Sequence, residues 1–145
     1  MLPRARLDLR RNCSLRSVQW ISQRFPTRIR KRFGFEAAHV LPHHPGKCAR
    51  MHGHSYRLDV TIRGTIRSRG PARGMVEDFE TVETAVRERV LDRLDHSYVN
   101  DLVENPTVEN MARWIWSQLE RKLRGLDEIV LWETRTSSAI LRKGD

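Results

Sequence analysis

Six histidines and two cysteines carry most of the reactive side chains of this sequence: His39, His43, His44, His52, His54, His96, Cys13 and Cys48. Their spacing separates three of them from the rest. His39 shares the parity of Phe33, Phe35, Ala37 and Leu41, and His52 and His54 share that of Tyr56, Leu58, Val60 and Ile62. Residues two apart on a strand point to one face, so His52-Gly53-His54 presents two imidazoles together. If the two strands pair as a hairpin, His39 faces them. Gly53 lets the backbone bend or approach a ligand. Three neutral imidazoles leave a tetrahedral metal one open position, as in catalytic rather than structural zinc sites. His43 and His44 fall in a Pro-flanked loop and read as solvated.

Three further groups could work beside such a metal. Cys48 stands four residues before His52 with Lys47 and Arg50 close by. A thiol in that setting is a competent base or nucleophile, and an inert small residue is the bland alternative. Asp95-His96 can act as a proton relay, the acid setting the imidazole tautomer, or can simply cap a helix. Glu133 has the parity of Ile129 and Leu131, and a carboxylate on a buried face needs a partner. That partner is an Arg or a ligand with a guanidine-like edge.

The elements that must position these groups follow from periodicity. Strands are expected around residues 33–41 and 56–62. Asp78 reads as the N-cap of a helix with Val82, Val86 and Val90 inside. A second helix starts near Thr107, buries Val108, Met111, Ala112, Ile115, Leu119 and Leu123, and ends at Gly125. Residues 128–134 and 138–142 read as a closing hairpin. The order β-β-α-α-β-β predicts an α+β domain: a four-stranded antiparallel sheet with both helices on one face.

The charge is unevenly placed. The 145 residues hold 27 Lys+Arg against 18 Asp+Glu, a formal net charge of +9. Residues 1–32 contain ten basic residues and Asp8 alone, whereas residues 33–145 balance to zero. The excess therefore belongs to the amino-terminal lead, not to the body. Residues 1–27 read as a basic, disordered extension, with a targeting segment or a polyanion-binding arm as alternatives; residues 28–145 read as the folded domain. No apolar run is long enough to span a membrane. Two cysteines, one in the lead, make a poor disulfide framework and favour a reducing, cytoplasmic setting.

Six blocks in order resemble the 6-pyruvoyl-tetrahydropterin synthase / 6-carboxytetrahydropterin synthase family. They are Phe33–His39, Lys47–His54, Gly74–Phe79, Leu94–Asn100, Asn105–Asn110 and Trp132–Thr134. The resemblance implies the tunnelling fold (T-fold), with three subunits closing a barrel, two rings stacking into a homohexamer, and active sites at subunit interfaces. It implies Zn2+ on His39, His52 and His54, Cys48 as base, and Asp95 with His96 as its relay. Glu133 becomes the pterin anchor, also counted in the proton relay, and Thr107 and Glu109 help line the pterin pocket. The Cys-x-x-x-His-Gly-His spacing is similar to that of the bacterial carboxy-forming branch of the queuosine pathway, while Cys48 disfavours the branch that has Glu there.

The implied reaction converts 7,8-dihydroneopterin triphosphate to 6-carboxy-5,6,7,8-tetrahydropterin, acetaldehyde and triphosphate. Lys47, Arg50 and Arg142 are open as triphosphate contacts. Formation of 6-pyruvoyl-tetrahydropterin is the first alternative. A basic nucleic-acid-binding protein with a structural metal is the second, and the neutral body argues against it: no nucleic acid or membrane is needed.

Overall fold

Two long strands make the spine of the domain. The structure is a computed structural model and describes residues 25–145. Cys13 and most of the expected basic extension lie outside the described residues. Strand β1 (Thr27–His39) and strand β2 (His52–Gly64) pair antiparallel along their whole length, from Thr27↔Gly64 to His39↔His52. The link between them carries a short 3₁₀ turn, Lys47–Ala49.

Helix α1 (Phe79–Val86) starts as expected, with the Asp78 side chain accepting from the Glu80 N–H at 2.9 Å. It continues through a π-turn (Arg87–Leu91) into a last turn, Asp92–Leu94. The spacing of its core residues explains the π-turn. Val82, Val86, Val90 and Leu94 are all buried, each four residues after the last. In a pure α-helix that stripe drifts by roughly 40° per step. The wider π-turn takes up the drift and keeps all four against the sheet. Helix α2 (Val108–Leu119) is capped by Thr107, whose hydroxyl accepts from the Asn110 N–H.

The sheet differs from expectation by one strand. Besides β4 (Leu126–Trp132) and β5 (Ser138–Arg142), Ser97–Tyr98 forms a short strand, β3. The order is β3-β1-β2-β4-β5, with β3 parallel to β1 and the other pairs antiparallel. The His96 N–H donates to the Glu36 carbonyl at 2.6 Å and draws the chain along the β1 edge. Two residues are too few to show a period, so this edge strand escapes a reading by pattern.

Helix α2 is also shorter than expected. It stops at Leu119, and Gly125, at φ +87°, makes the turn into β4 instead. A Cβ there would lie 2.5 Å from the Arg63 carbonyl oxygen, so close approach as well as the left-handed conformation calls for glycine.

Both helices cover one face of the sheet. Tyr56, Leu58, Val60 and Ile62 of β2 meet Ile129 and Leu131 of β4 beneath Met111, Ile115 and Leu119. On the opposite face a ladder of ion pairs crosses the strands: Arg32–Asp59, Arg30–Glu128 and Arg142–Glu128. Among the described residues, no helix is long and apolar enough to cross a membrane.

Candidate metal centre

The β1–β2 register places His39 opposite His52 and Ala37 opposite His54. The three histidines thus meet at one end of the hairpin, and one ligand atom from each lies within 4.8 Å of the others. Ring centroids are 4.5 Å apart for His39–His52, 5.1 Å for His39–His54 and 5.0 Å for His52–His54. Gly53 permits this packing. A Cβ at that position would sit 3.0 Å from the Ala37 carbonyl oxygen.

Main-chain carbonyls orient two of the rings. His39 Nδ1 donates to the Pro106 carbonyl at 2.9 Å, and His52 Nδ1 donates to the Arg50 carbonyl at 2.8 Å. A carbonyl can only accept, so each Nδ1 carries the proton and each neutral ring turns an Nε2 lone pair inward. Those two Nε2 atoms are 3.1 Å apart. Two lone pairs at that distance cannot bond one another; a cation satisfies both. Tetrahedral zinc with bonds of 2.0–2.1 Å holds its nitrogens about 3.4 Å apart, so the donor set fits the ion.

Burial favours the neutral form of two of the imidazoles. His39 is fully buried, and desolvation pushes its pKa down against the opposing pull of the Pro106 carbonyl. His54 is pushed down for the same reason, with the Glu133 carboxylate opposing. Both effects leave the rings available to a metal rather than to protons.

Glu133 stands closer to this centre than a remote anchor would. It lies just past β4, and its Oε1 is 3.7 Å from His39 Nε2 and 3.8 Å from His54 Nε2. Beneath the cluster, Tyr56 stacks on Phe35 with ring centroids 4.9 Å apart. Its hydroxyl lies 3.5 Å from His39 Nδ1. Burial, then Glu133, raises the Tyr56 pKa well above the ordinary phenol value, so the hydroxyl stays protonated.

The other expected residues occupy separate places. The Asp95 carboxylate accepts from the Glu36 N–H at 2.9 Å, which is the main reason its pKa is lowered. It lies 3.0 Å from His96 Nδ1, and the His96 side chain is 80% exposed. His96 adopts φ +56°, a left-handed conformation uncommon outside glycine. An open cleft of about 560 Å³ runs along this edge of the sheet, and His54 and His96 both line it, with Met51 and Tyr98. Cys48 is half-buried in its 3₁₀ turn and lies outside both the three-histidine set and the cleft lining. Thr107 serves as the α2 cap, Glu109 is exposed in the first turn, and Arg142 is held by Glu128 at 2.7 Å.

Reading by residue type missed the supports. Asn100 makes two bonds to Val40, accepting from its N–H at 2.9 Å and donating to its carbonyl at 2.8 Å. It thereby extends the β3 pairing past the end of β1, beside His39. Asn110 donates to the Asn105 carbonyl at 2.9 Å. Both asparagines fall inside the ordered blocks, which was the only available signal.

A helix-backed sheet with three histidines gathered at a hairpin end defines an α+β domain with a set of side chains that could hold a metal ion. Residues 28–144 match the 6-pyruvoyl tetrahydropterin synthase family, and the chain belongs to that family. It is 44% identical over 115 residues to a Synechocystis protein named 6-carboxy-5,6,7,8-tetrahydropterin synthase, across 77% of this chain and 89% of that one. A Haemophilus influenzae protein of the same name is 32% identical over 133 residues, across 76% of this chain and 94% of that one. The solved structure of Caenorhabditis elegans 6-pyruvoyl tetrahydropterin synthase superposes with a TM-score of 0.72 at 25% identity, covering 82% of this chain and 96% of that chain. The T-fold expectation is borne out, with the added edge strand.

Proposed function

We propose that this protein is a zinc-dependent 6-carboxy-5,6,7,8-tetrahydropterin synthase. It converts 7,8-dihydroneopterin triphosphate to 6-carboxy-5,6,7,8-tetrahydropterin, with release of acetaldehyde and triphosphate, in the cytoplasmic queuosine pathway. The observation that carries the reading is the pair of inward lone pairs on His39 and His52, 3.1 Å apart with His54 beside them. The names of the two bacterial relatives supply the substrate class.

His39, His52 and His54 would hold the ion, which when bound polarises side-chain oxygens of the substrate. Cys48 takes a proton from the side-chain carbon. His96, oriented by Asp95, passes protons at the other side of the substrate. The Glu133 carboxylate accepts from the pterin amino group and ring N–H, fixing the ring. Thr107 and Glu109 contribute to the same pocket.

The exposure of His96, in a cleft whose lining does not include Cys48, supports a site completed between subunits of a homohexamer. In that assembly the Asp95–His96 pair serves a neighbouring chain. The basic lead over residues 1–27 is an appendage to a catalytic domain spanning residues 28–145.

The test is incubation of the purified protein with dihydroneopterin triphosphate, reading zinc content and product mass. Acetaldehyde and the carboxy product with about one zinc per chain are expected. A 6-pyruvoyl product without acetaldehyde would reassign the reaction, and neither zinc nor turnover would refute the site.

A further inference from the structure

We propose that Asn110 is a positioning residue for the metal centre, acting through the Asn105–Pro106–Thr107 segment to set the tautomer of His39. The inference rests on the three histidines being a metal site, but not on which pterin is formed.

His39 Nε2 has two neighbours that would welcome a proton on it. The His52 Nε2 lone pair is 3.1 Å away and Glu133 Oε1 is 3.7 Å away. A His39 protonated at Nε2 would satisfy both and present no lone pair to a metal. Only an acceptor at Nδ1 tips the ring the other way. The Pro106 carbonyl is that acceptor, at 2.9 Å and in a fully buried setting. The Tyr56 hydroxyl, at 3.5 Å, is too distant to replace it.

The direction of the Pro106 carbonyl is fixed by a local hydrogen-bonded turn. The Thr107 N–H donates to the Asn105 carbonyl at 2.8 Å, an i to i+2 bond around Pro106. The Thr107 N–H and the Pro106 C=O belong to one trans peptide plane and point in opposite directions. Turning the N–H inward to Asn105 therefore turns the C=O outward to His39. The proline ring pre-sets φ for such a turn. The Asn105 carbonyl receives a second donor, Asn110 Nδ2, at 2.9 Å. Asn110 is held in return, its N–H capped by Thr107 Oγ1 at 3.3 Å. Asn110 is thus the side-chain clamp on the peptide that decides where the His39 proton sits.

The test pairs metal affinity with a direct view of the proton. Asn110→Asp keeps the side-chain size but can no longer donate, and a carboxylate in the first turn of a helix suits the helix dipole. Zn2+ affinity, read by chelator competition, should fall about 10- to 100-fold, the usual effect of losing support behind a ligating histidine. In the metal-free variant, ¹⁵N NMR of the imidazoles should show His39 shifting from the Nδ1–H toward the Nε2–H tautomer. Asn110→Ala, uncharged and a strong helix former, should give the same two changes, so misfolding of the aspartate variant does not shield the proposal. Wild-type affinity with an unchanged His39 tautomer in either folded variant would overturn it, as would an Nε2–H His39 in the metal-free native protein. A native protein that binds no Zn2+ would instead refute the metal reading, with the tautomer measurement still deciding the role of Asn110.

Discussion

Gly53→Ala tests whether the close approach of the two strands sets the metal geometry. The added Cβ would lie 3.0 Å from the Ala37 carbonyl oxygen and 3.7 Å from the Ala38 Cα. Both neighbours are backbone, so neither can swing aside as a side chain would. The strands must part by a few tenths of an ångström at the step between the His39↔His52 and Ala37↔His54 pairs. Forcing extra volume into a packed region costs about 1–3 kcal/mol. Replacing a glycine returns about 0.5–1 kcal/mol by restricting the unfolded chain. The net loss is therefore between about zero and 2.5 kcal/mol, or up to roughly 10 °C in Tm for a domain of this size. The effect on metal should be larger in kind, because ligand distances must hold to within about 0.2 Å. Zn2+ affinity is expected to fall by at least about tenfold, the scale seen when ligand supports are disturbed. Chemical denaturation of the metal-free protein and chelator competition measure the two effects separately. A variant with native stability and native affinity would show that the contact is not what spaces the histidines.

Two other outcomes follow from the site. Burial lowers the pKa of His39 and His54, so below about pH 6.5 the unfolded chain takes up protons that the folded metal-free chain resists. Stability is then full above that pH and falls by up to about 1.4 kcal/mol per pH unit for each histidine as pH drops toward the folded values; a metal-free denaturation midpoint that stays flat from about pH 7.5 to 5.5 would contradict this. Cys48→Ala should cut product formation by about 10²–10⁴-fold, the range for a lost general base, while Zn2+ binding persists; an active variant would remove Cys48 from the mechanism.

Much of the site was legible because its logic is that of a strand. Parity alone put His39, His52 and His54 on the core face, and the antiparallel register then brought them together. The Asp78 and Thr107 caps were equally readable, since capping is local chemistry. The less legible features depend on main-chain direction. Nothing in the identity of Arg50 or Pro106 announces that its carbonyl will meet an imidazole. The β3 edge strand pairs with β1 only at Ser97 and Tyr98, just after the main-chain bond from His96 to Glu36, and two residues leave no pattern. The distance of Glu133 from the histidines depends on how the β4–β5 turn carries it past the end of β4, which periodicity does not report.

The π-turn of α1 sets a phase as well as a stripe. Five residues, Arg87–Leu91, occupy the place of one wide turn, and the chain leaves the helix at Leu94 straight into Asp95 and His96. Each residue of a helix turns the exit by about 100°. A helix shortened by a single residue there would be more regular, yet its last turn would discharge the chain at another azimuth. The Asp95 carboxylate would then miss the Glu36 N–H it now reaches at 2.9 Å. The irregularity works as a timing gear: it spends one residue of helical rotation so that the acid and imidazole arrive at the sheet edge in step.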